Sequence, residues 1–191
     1  MPKIHESKLE LRRRVGALLN SLTAAQRASG SAQACALLSK QALWQKARSI
    51  LFYAPLPEEL DLWPLLRDSL AAGKVVALPR FDPGTKQYRA CRIRNLASDL
   101  VRGHFGIHEP AAHCAGRELN RFDLVLVPGV AFDLRGGRLG RGKGFYDQLL
   151  ARVRGTTCGV AFDEQIAAGI PVEPHDVRLN CLLTPTRWIE G

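Results

Sequence analysis

Apolar residues in the first part of the chain recur at helical spacing. Leu11, Val15, Leu18 and Leu22 fall at i, i+4, i+7 and i+11, which predicts a helix over Lys8 to Leu22 with one apolar stripe. Lys8 and Arg12, four residues apart, lie together on one rim of that stripe. Thr23 followed by Gln26 has the spacing of a capping box and predicts a second helix running through Ala32, Cys35, Ala36 and Leu43. The apolar run Ile50 to Tyr53 reads as a buried strand. Asp61 can cap a helix whose first turn tolerates Pro64 and whose end is marked by Gly73, and Val75 to Leu78 is the next strand. Strand, helix and strand within about thirty residues form a βαβ unit.

The pattern then weakens. Residues 80 to 121 offer a strand at Gln87 to Arg92 and an irregular loop, GHFGIHEP, at 103 to 110. Asp123 to Val127 is a clear buried strand, Phe145 to Val153 suits a short helix, and Thr157 to Phe162 and Cys181 to Thr184 are strands. Helices alternating with apolar strands predict an α/β fold, a three-layer α/β/α sandwich with a largely parallel central sheet. With 191 residues, no internal repeat and no low-complexity linker, the chain reads as one domain over 1–191.

Composition narrows the class. A chain that is 46% hydrophobic and 24% charged is that of a soluble globular protein. No apolar run approaches the ~18 residues of a membrane span, so no membrane partner is expected. MPKIHESKLELRRR has no continuous apolar stretch of the kind a secretory signal needs, which predicts a cytoplasmic protein. Cys35, Cys91, Cys114, Cys158 and Cys181 are widely spaced with no CxxC pair, and reduced thiols are expected. Lys and Arg total 27 against 18 Asp and Glu, a net charge of +9 that favours nucleic acid, nucleotides or polycarboxylates.

GGRLGRGKGFYD, Gly136 to Asp147, narrows that choice. Gly140, Gly142 and Gly144 let the backbone approach a ligand and turn successive N–H groups onto an anion, while Arg138, Arg141 and Lys143 supply cations around the same cavity. That combination suits a polyphosphate. It is not a P-loop, because Gly137, Gly142 and Lys143 fit GxxxxGK but Gly144 replaces the Ser or Thr whose hydroxyl holds Mg²⁺. Nor is it a dinucleotide fingerprint, since Phe145 stands where GxGxxG needs its last glycine. Asp147 is either a magnesium ligand replacing the missing hydroxyl or a simple first-turn helix acid.

The run DLVLVPGVAFDLRGGRLGRGKGFYD, 123 to 147, resembles the 5-formyltetrahydrofolate cyclo-ligase family, also called 5,10-methenyltetrahydrofolate synthetase. Shorter matches follow in the family's order: KLELR at 8 to 12, PEELD at 57 to 61, ALPR at 77 to 80, GIHEP at 106 to 110 and PHD at 174 to 176. The resemblance implies cyclisation of 5-formyltetrahydrofolate to 5,10-methenyltetrahydrofolate with ATP and Mg²⁺, through phosphorylation of the formyl oxygen and attack by N10. By position, Lys8 and Arg12 resemble phosphate contacts, and Arg138, Leu139, Gly140, Arg141, Gly142, Lys143, Gly144, Phe145 and Tyr146 resemble the nucleotide loop. Within it, Arg141, Gly142, Lys143, Gly144 and Phe145 also resemble folate contacts, with Arg141 and Lys143 the expected stabilisers of γ-phosphoryl charge. Asp147 and Asp176 resemble the metal-binding carboxylates, Glu59 the acid that meets the pterin, and Ala54 a backbone or apolar pterin contact. Leu62, Phe145 and Asn180 depart from residues common in the family.

The expected partner is a reduced folate, with or without a polyglutamate tail, bound by a monomer that takes no nucleic acid. Two rival readings stay open: a nucleic-acid-binding module, prompted by RRR at 12 to 14 and RACRIR at 89 to 94, and another nucleotide-dependent phosphotransferase on the same scaffold. His104, His108, His113 and Cys114 lack standard zinc spacing and read as surface or pocket residues. His175 either tunes Asp176 or is simply exposed, Trp44, Trp63 and Trp188 read as core or edge residues, and Glu58 reads as a solvated neighbour of Glu59.

Overall fold

Adjacent residues in the apolar strand runs enter opposite cores. In the computed structural model, which describes residues 4–103, 106–171, 173 and 176–190, Ile50 and Leu51 are both buried but belong to separate hydrophobic clusters. The same alternation holds for Val76 and Ala77, Leu124 and Val125, and Cys181 and Leu182. A sheet covered on both faces explains why these strands read as unbroken apolar runs.

The elements in chain order are α1 (Ile4–Ser21), α2 (Ala24–Ser39), α3 (Ala42–Lys46), β1 (Ser49–Leu51), α4 (Trp63–Ala71), β2 (Val75–Asp82), β3 (Gln87–Ile93), α5 (Leu96–Asp99), β4 (Leu100–Arg102), β5 (His108–Pro110) and β6 (Gly116–Arg117). They continue as β7 (Leu124–Val127), β8 (Ala131–Asp133), β9 (Arg138–Leu139), α6 (Phe145–Leu150), β10 (Thr156–Val160), β11 (Ile166–Ala167), β12 (Cys181–Leu183) and β13 (Trp188–Glu190). The main sheet has eight strands in the order β13-β12-β10-β7-β1-β2-β3-β6. Its centre, from β12 to β2, is parallel, and antiparallel β13 closes one side while β3 and β6 close the other. Helices α1 to α4 pack on one face through Leu11, Val15, Leu19, Leu38, Trp44 and Leu66. The opposite face is covered by a thinner layer, Leu149 and Leu150 of α6 with Leu119 and Phe122. The α/β/α sandwich and its largely parallel sheet are therefore present, with unequal outer layers. Among the described residues, no helix is long and apolar enough to cross a membrane.

Several boundaries differ from the pattern. Leu18 is 44% exposed, and Leu19 takes its place in the buried stripe of α1. The capping box at Thr23 is present, with Gln26 N donating to Thr23 Oγ1 and Thr23 N to Gln26 Oε1. The helix it starts stops at Ser39 rather than reaching Leu43. The chain turns there, Gln41 Nε2 donating to the Leu37 carbonyl, and α3 then buries Trp44 edge-on to Phe52 with ring centroids 6.0 Å apart. Two- and three-residue strands in 100–139 and 166–167 had no periodicity to announce them; β11, β8 and β9 form a separate small sheet.

Three turns are fastened by aspartates, of which Asp99 and Asp133 are buried. Asp99 accepts from the amides of Arg94 and Asn95, Asp123 from those of Arg48 and Ser49, and Asp133 from those of Arg135, Gly137 and Ile170. At Asp99 the Arg94 amide is the leading influence and holds the carboxyl well below the carboxylate range. At Asp123 and Asp133 burial pushes the pKa up, but the amide donors outweigh it and the net shift is downward. Because all three are depressed in the folded state, their stabilisation is complete above the unfolded value of about 3.9 and is lost as pH falls toward the folded values. The melting temperature is therefore expected to drop steadily below about pH 4; a melting curve unchanged from neutrality to pH 3 would overturn this.

Candidate active site

The glycine loop is positioned by the small sheet. β8 and β9 pair antiparallel, Phe132 opposite Arg138, and the Asp133 carboxylate gathers the turn between them. Gly136 has φ of 78° there, and any Cβ would run into the carbonyl of Leu179, so the turn needs glycine. Beyond Leu139 the chain leaves regular structure until Phe145, with Gly142 at φ 93° and Gly144 at φ 68°. The helix that follows ends at Leu150, short of Val153.

Arg138 does not face outward with the other cations. Its side chain is 4% exposed, lies over the Tyr146 ring with the guanidinium carbon 5.6 Å from the centroid, and donates to Pro128 O and to Asp147 Oδ1. Leu139 is also buried, its side chain in the core. Arg12 Nε donates to the Gly140 carbonyl at 2.9 Å, while Lys8 Nζ lies 2.6 Å from Glu173 and 3.2 Å from Asp176. Lys8 and Arg12 are one turn apart on α1, so Gly140 of the glycine loop and the carboxylates of Glu173 and Asp176 meet the same helix face. Burial alone would lower the Lys8 pKa, but the bonds that Lys8 donates to Glu173 and Asp176 outweigh it and raise it. Asp176 also accepts from the Glu173 amide at 2.7 Å.

Beside the loop is a cavity of about 290 Å³ lined by Tyr53, Ala54, Glu59, Tyr88, Lys143 and Tyr146, among others. Phe145 packs at its rim, its ring centroid 5.1 Å from Phe81 and 5.7 Å from Tyr88, so the phenyl keeps an aromatic contact at this departure from the family pattern. Glu59 is the cavity's buried acid. Its side chain is 9% exposed and accepts from Leu56 N at 3.0 Å, and burial raises its pKa. The turn carrying it is pinned by buried Leu60 and Leu62 and by Tyr53, whose hydroxyl donates to Leu60 O at 2.7 Å. A second, more open cavity of about 680 Å³ adjoins the first and is lined by Arg12, Asn20, Arg27, Glu58 and Gln165. Both cavities share Glu59, Gly129 and Arg141. Arg141 thus stands on their boundary, with Nη2 2.8 Å from Glu58 and 3.4 Å from Glu59.

Glu58 is therefore an ion-pair partner rather than a merely solvated neighbour. The pattern also missed Glu173, Arg27 and Gln165. Arg27 donates to Leu19 O, Leu22 O and Pro57 O, and Gln165 Nε2 to Gly129 O and Val130 O. Such backbone tethers have no sequence signal, because their partners are main-chain atoms common to every residue. Asn180 Oδ1 accepts from Thr157 N and Oγ1, a tie between β10 and the chain entering β12, and Leu62 is a core residue. His104 and His175 lie outside the described residues. His108 meets Trp63 edge-on at 5.8 Å. His113 and Cys114 do converge with Asp99, but Asp99 Oδ2 accepts two amides and Oδ1 the Ser98 hydroxyl as well as facing His113, so the cluster is a fastened turn.

Comparisons with known proteins agree with this architecture. The model of the 5-formyltetrahydrofolate cyclo-ligase family matches residues 4–185. The chain is 28% identical over 191 residues to 5-formyltetrahydrofolate cyclo-ligase of Mus musculus, covering 94% of each protein. It is 34% identical over 145 residues to that of Escherichia coli K12, covering 74% of this chain and 80% of the relative. The NMR structure of Aquifex aeolicus 5,10-methenyltetrahydrofolate synthetase superposes with a TM-score of 0.86 at 33% identity, covering 96% of this chain and 92% of that one. The chain therefore belongs to the 5-formyltetrahydrofolate cyclo-ligase family, a family of carbon–nitrogen-bond-forming ligases.

Proposed function

We propose that the protein closes 5-formyltetrahydrofolate to 5,10-methenyltetrahydrofolate, with ATP consumed to ADP and phosphate. The observation that carries this reading is the placement of Arg141 between the aromatic cavity holding buried Glu59 and the cavity bordered by Arg12. A carboxylate within an aromatic-walled pocket suits a pterin, whose ring N–H groups donate to it while its flat face stacks. Ala54, Gly142, Gly144 and Phe145 would complete that contact, and Lys8, Arg12 and the loop from Arg138 to Tyr146 would hold the nucleotide.

The N5-formyl group is an amide, with a weakly electrophilic carbon and an oxygen that leaves poorly. Transfer of the γ-phosphoryl to that oxygen turns it into a leaving group. N10 then bonds to the formyl carbon and loses its proton, and the oxygen departs within phosphate. This step asks the protein for positioning and charge neutralisation rather than a nucleophile. Arg141 and Lys143, which both line the aromatic cavity, would meet the charge on the moving group. Phe145, packed on Phe81 and Tyr88, would help exclude water from it.

Asp147 and Asp176 would hold Mg²⁺. They are hard oxygen donors, as that ion requires, and each is already paired with a cation, Arg138 or Lys8, that offsets its charge. The ion would supply neutralisation of phosphate oxygens. We place the activity in one domain, working as a monomer in the cytoplasm. Purified protein mixed with 5-formyltetrahydrofolate, ATP and Mg²⁺ is expected to develop the near-UV absorbance of the methenyl product, and to need all three. Absence of product from folded protein would overturn the assignment.

A further inference from the structure

Arg141 needs something to hold it. It lies between two glycines, outside any helix or strand, and its side chain is 50% exposed. The rotamer entropy of so long a side chain opposes a fixed position. Its anchors are Glu58 Oε1 at 2.8 Å and Glu59 Oε1 at 3.4 Å, both through Nη2. The first is a close charge-assisted hydrogen bond and the second is at the limit of one. Among the described residues, none accepts from Nε or Nη1, so most of the guanidinium fork remains available to a second partner.

The two acids have different prospects when substrate arrives. Glu59 is deep in the aromatic cavity, and under the proposed function its oxygens accept from the pterin. Glu58 is at the mouth, its side chain 34% exposed, and lines the second cavity only. The backbone carrying it is pinned on both sides, by Arg27 Nη1 on Pro57 O and by the Tyr53 hydroxyl on Leu60 O. Burial pushes the Glu58 pKa up, but Arg141 and the more distant Arg27 outweigh it, so the carboxylate stays ionised at neutral pH.

We infer that Glu58 is a positioning residue, whose carboxylate holds the Arg141 guanidinium on the boundary between the two cavities once Glu59 is engaged by substrate. Arg141 is then already oriented when charge develops on the phosphoryl group, which removes an ordering cost from the chemical step. The identity of that phosphoryl group rests on the cyclo-ligase reading; the Glu58–Arg141 contact does not.

Glu58→Gln keeps the shape and removes the charge, and Glu58→Asp keeps the charge with shorter reach. Glu58→Gln is expected to lower kcat roughly ten- to a hundredfold with the folate KM changed by less than about twofold, and Glu58→Asp to recover much of the loss. In an Arg141→Lys background, Glu58→Gln is expected to cost less than about twofold more, because its target is already gone. In the ligand-free protein, the Arg141 guanidinium resonances, assigned by their loss in Arg141→Lys, are expected to show restrained rotation that averages out in Glu58→Gln. Wild-type kcat in Glu58→Gln, an undiminished second loss in the Arg141→Lys background, or unchanged Arg141 resonances would each overturn the inference. If the wild-type protein makes no methenyl product, the cyclo-ligase reading falls, and the resonances alone decide whether Glu58 holds Arg141.

Discussion

Lys143→Ala is expected to lower kcat by roughly a hundred- to a thousandfold, the usual cost of removing one charge-stabilising donor from a reacting centre. Lys143 lines the aromatic cavity from the exposed glycine loop, flanked by Gly142 and Gly144, whose positive φ values turn the backbone tightly. A cation on such a turn reaches a ligand with little steric cost. Its place on the surface means that truncation removes almost no packing, so the melting temperature should stay close to wild type. The kinetic pattern distinguishes two roles. A charge that acts on the γ-phosphoryl during transfer lowers kcat and kcat/KM together, whereas one that merely binds ATP raises KM and leaves kcat alone. An unchanged kcat would remove Lys143 from the chemical step. Lys143→Arg is expected to restore only part of the rate, since a planar fork on a longer stem cannot put its charge where an ammonium stood.

The sequence made some of this readable and concealed the rest for identifiable reasons. β1, α4 and β2 could be read because two apolar runs flank a helix that Gly73, at φ of 72°, brings to its end; the expected cap is displaced, since Leu62 stands at the N-cap without a side-chain bond and Asp61, one residue ahead, accepts from Trp63 N. Leu18 and Leu19 show the limit of periodicity: either continues an apolar stripe, and tertiary packing chose Leu19. β8, β9 and β11 are too short for any period, yet they aim the glycine loop. The loop's glycines and cations could be located in the sequence, but not the way the fold sorts them. Arg141 remains at the surface, while Arg138, three residues earlier, is turned inward onto Asp147. The ion pairs of Arg141 with Glu58 and of Lys8 with Glu173 join residues far apart in the chain, and only the fold brings them together. Local pattern has no access to such pairs, so Glu58 looked like an ordinary solvated acid.

For Asp147→Asn the expected result is a rise in the Mg²⁺ concentration needed for half-maximal activity, roughly ten- to a hundredfold. The carboxylate has a partner already: Arg138, nearly buried, holds it through Nη2 and is itself braced by Pro128 O and the Tyr146 ring. That pairing orients Asp147 toward the loop and compensates its charge. Asparagine keeps the size and one acceptor oxygen but removes the negative charge that a small, strongly hydrated divalent cation needs as a ligand. It also leaves the Arg138 guanidinium without its counter-ion in a place with little access to water, so some loss of stability is expected alongside the metal effect. The two consequences separate by measurement. Activity is titrated with Mg²⁺ at a temperature where the melting curve shows the variant fully folded, and Mn²⁺ binding to the ADP-loaded protein is followed directly. A purely structural role predicts lower stability with an unchanged metal titration, and that outcome would take Asp147 out of the metal shell. Asp176→Asn offers an internal comparison, because its partner Lys8 lies on α1 and is also held by Glu173, so the metal titration should shift with less damage to stability.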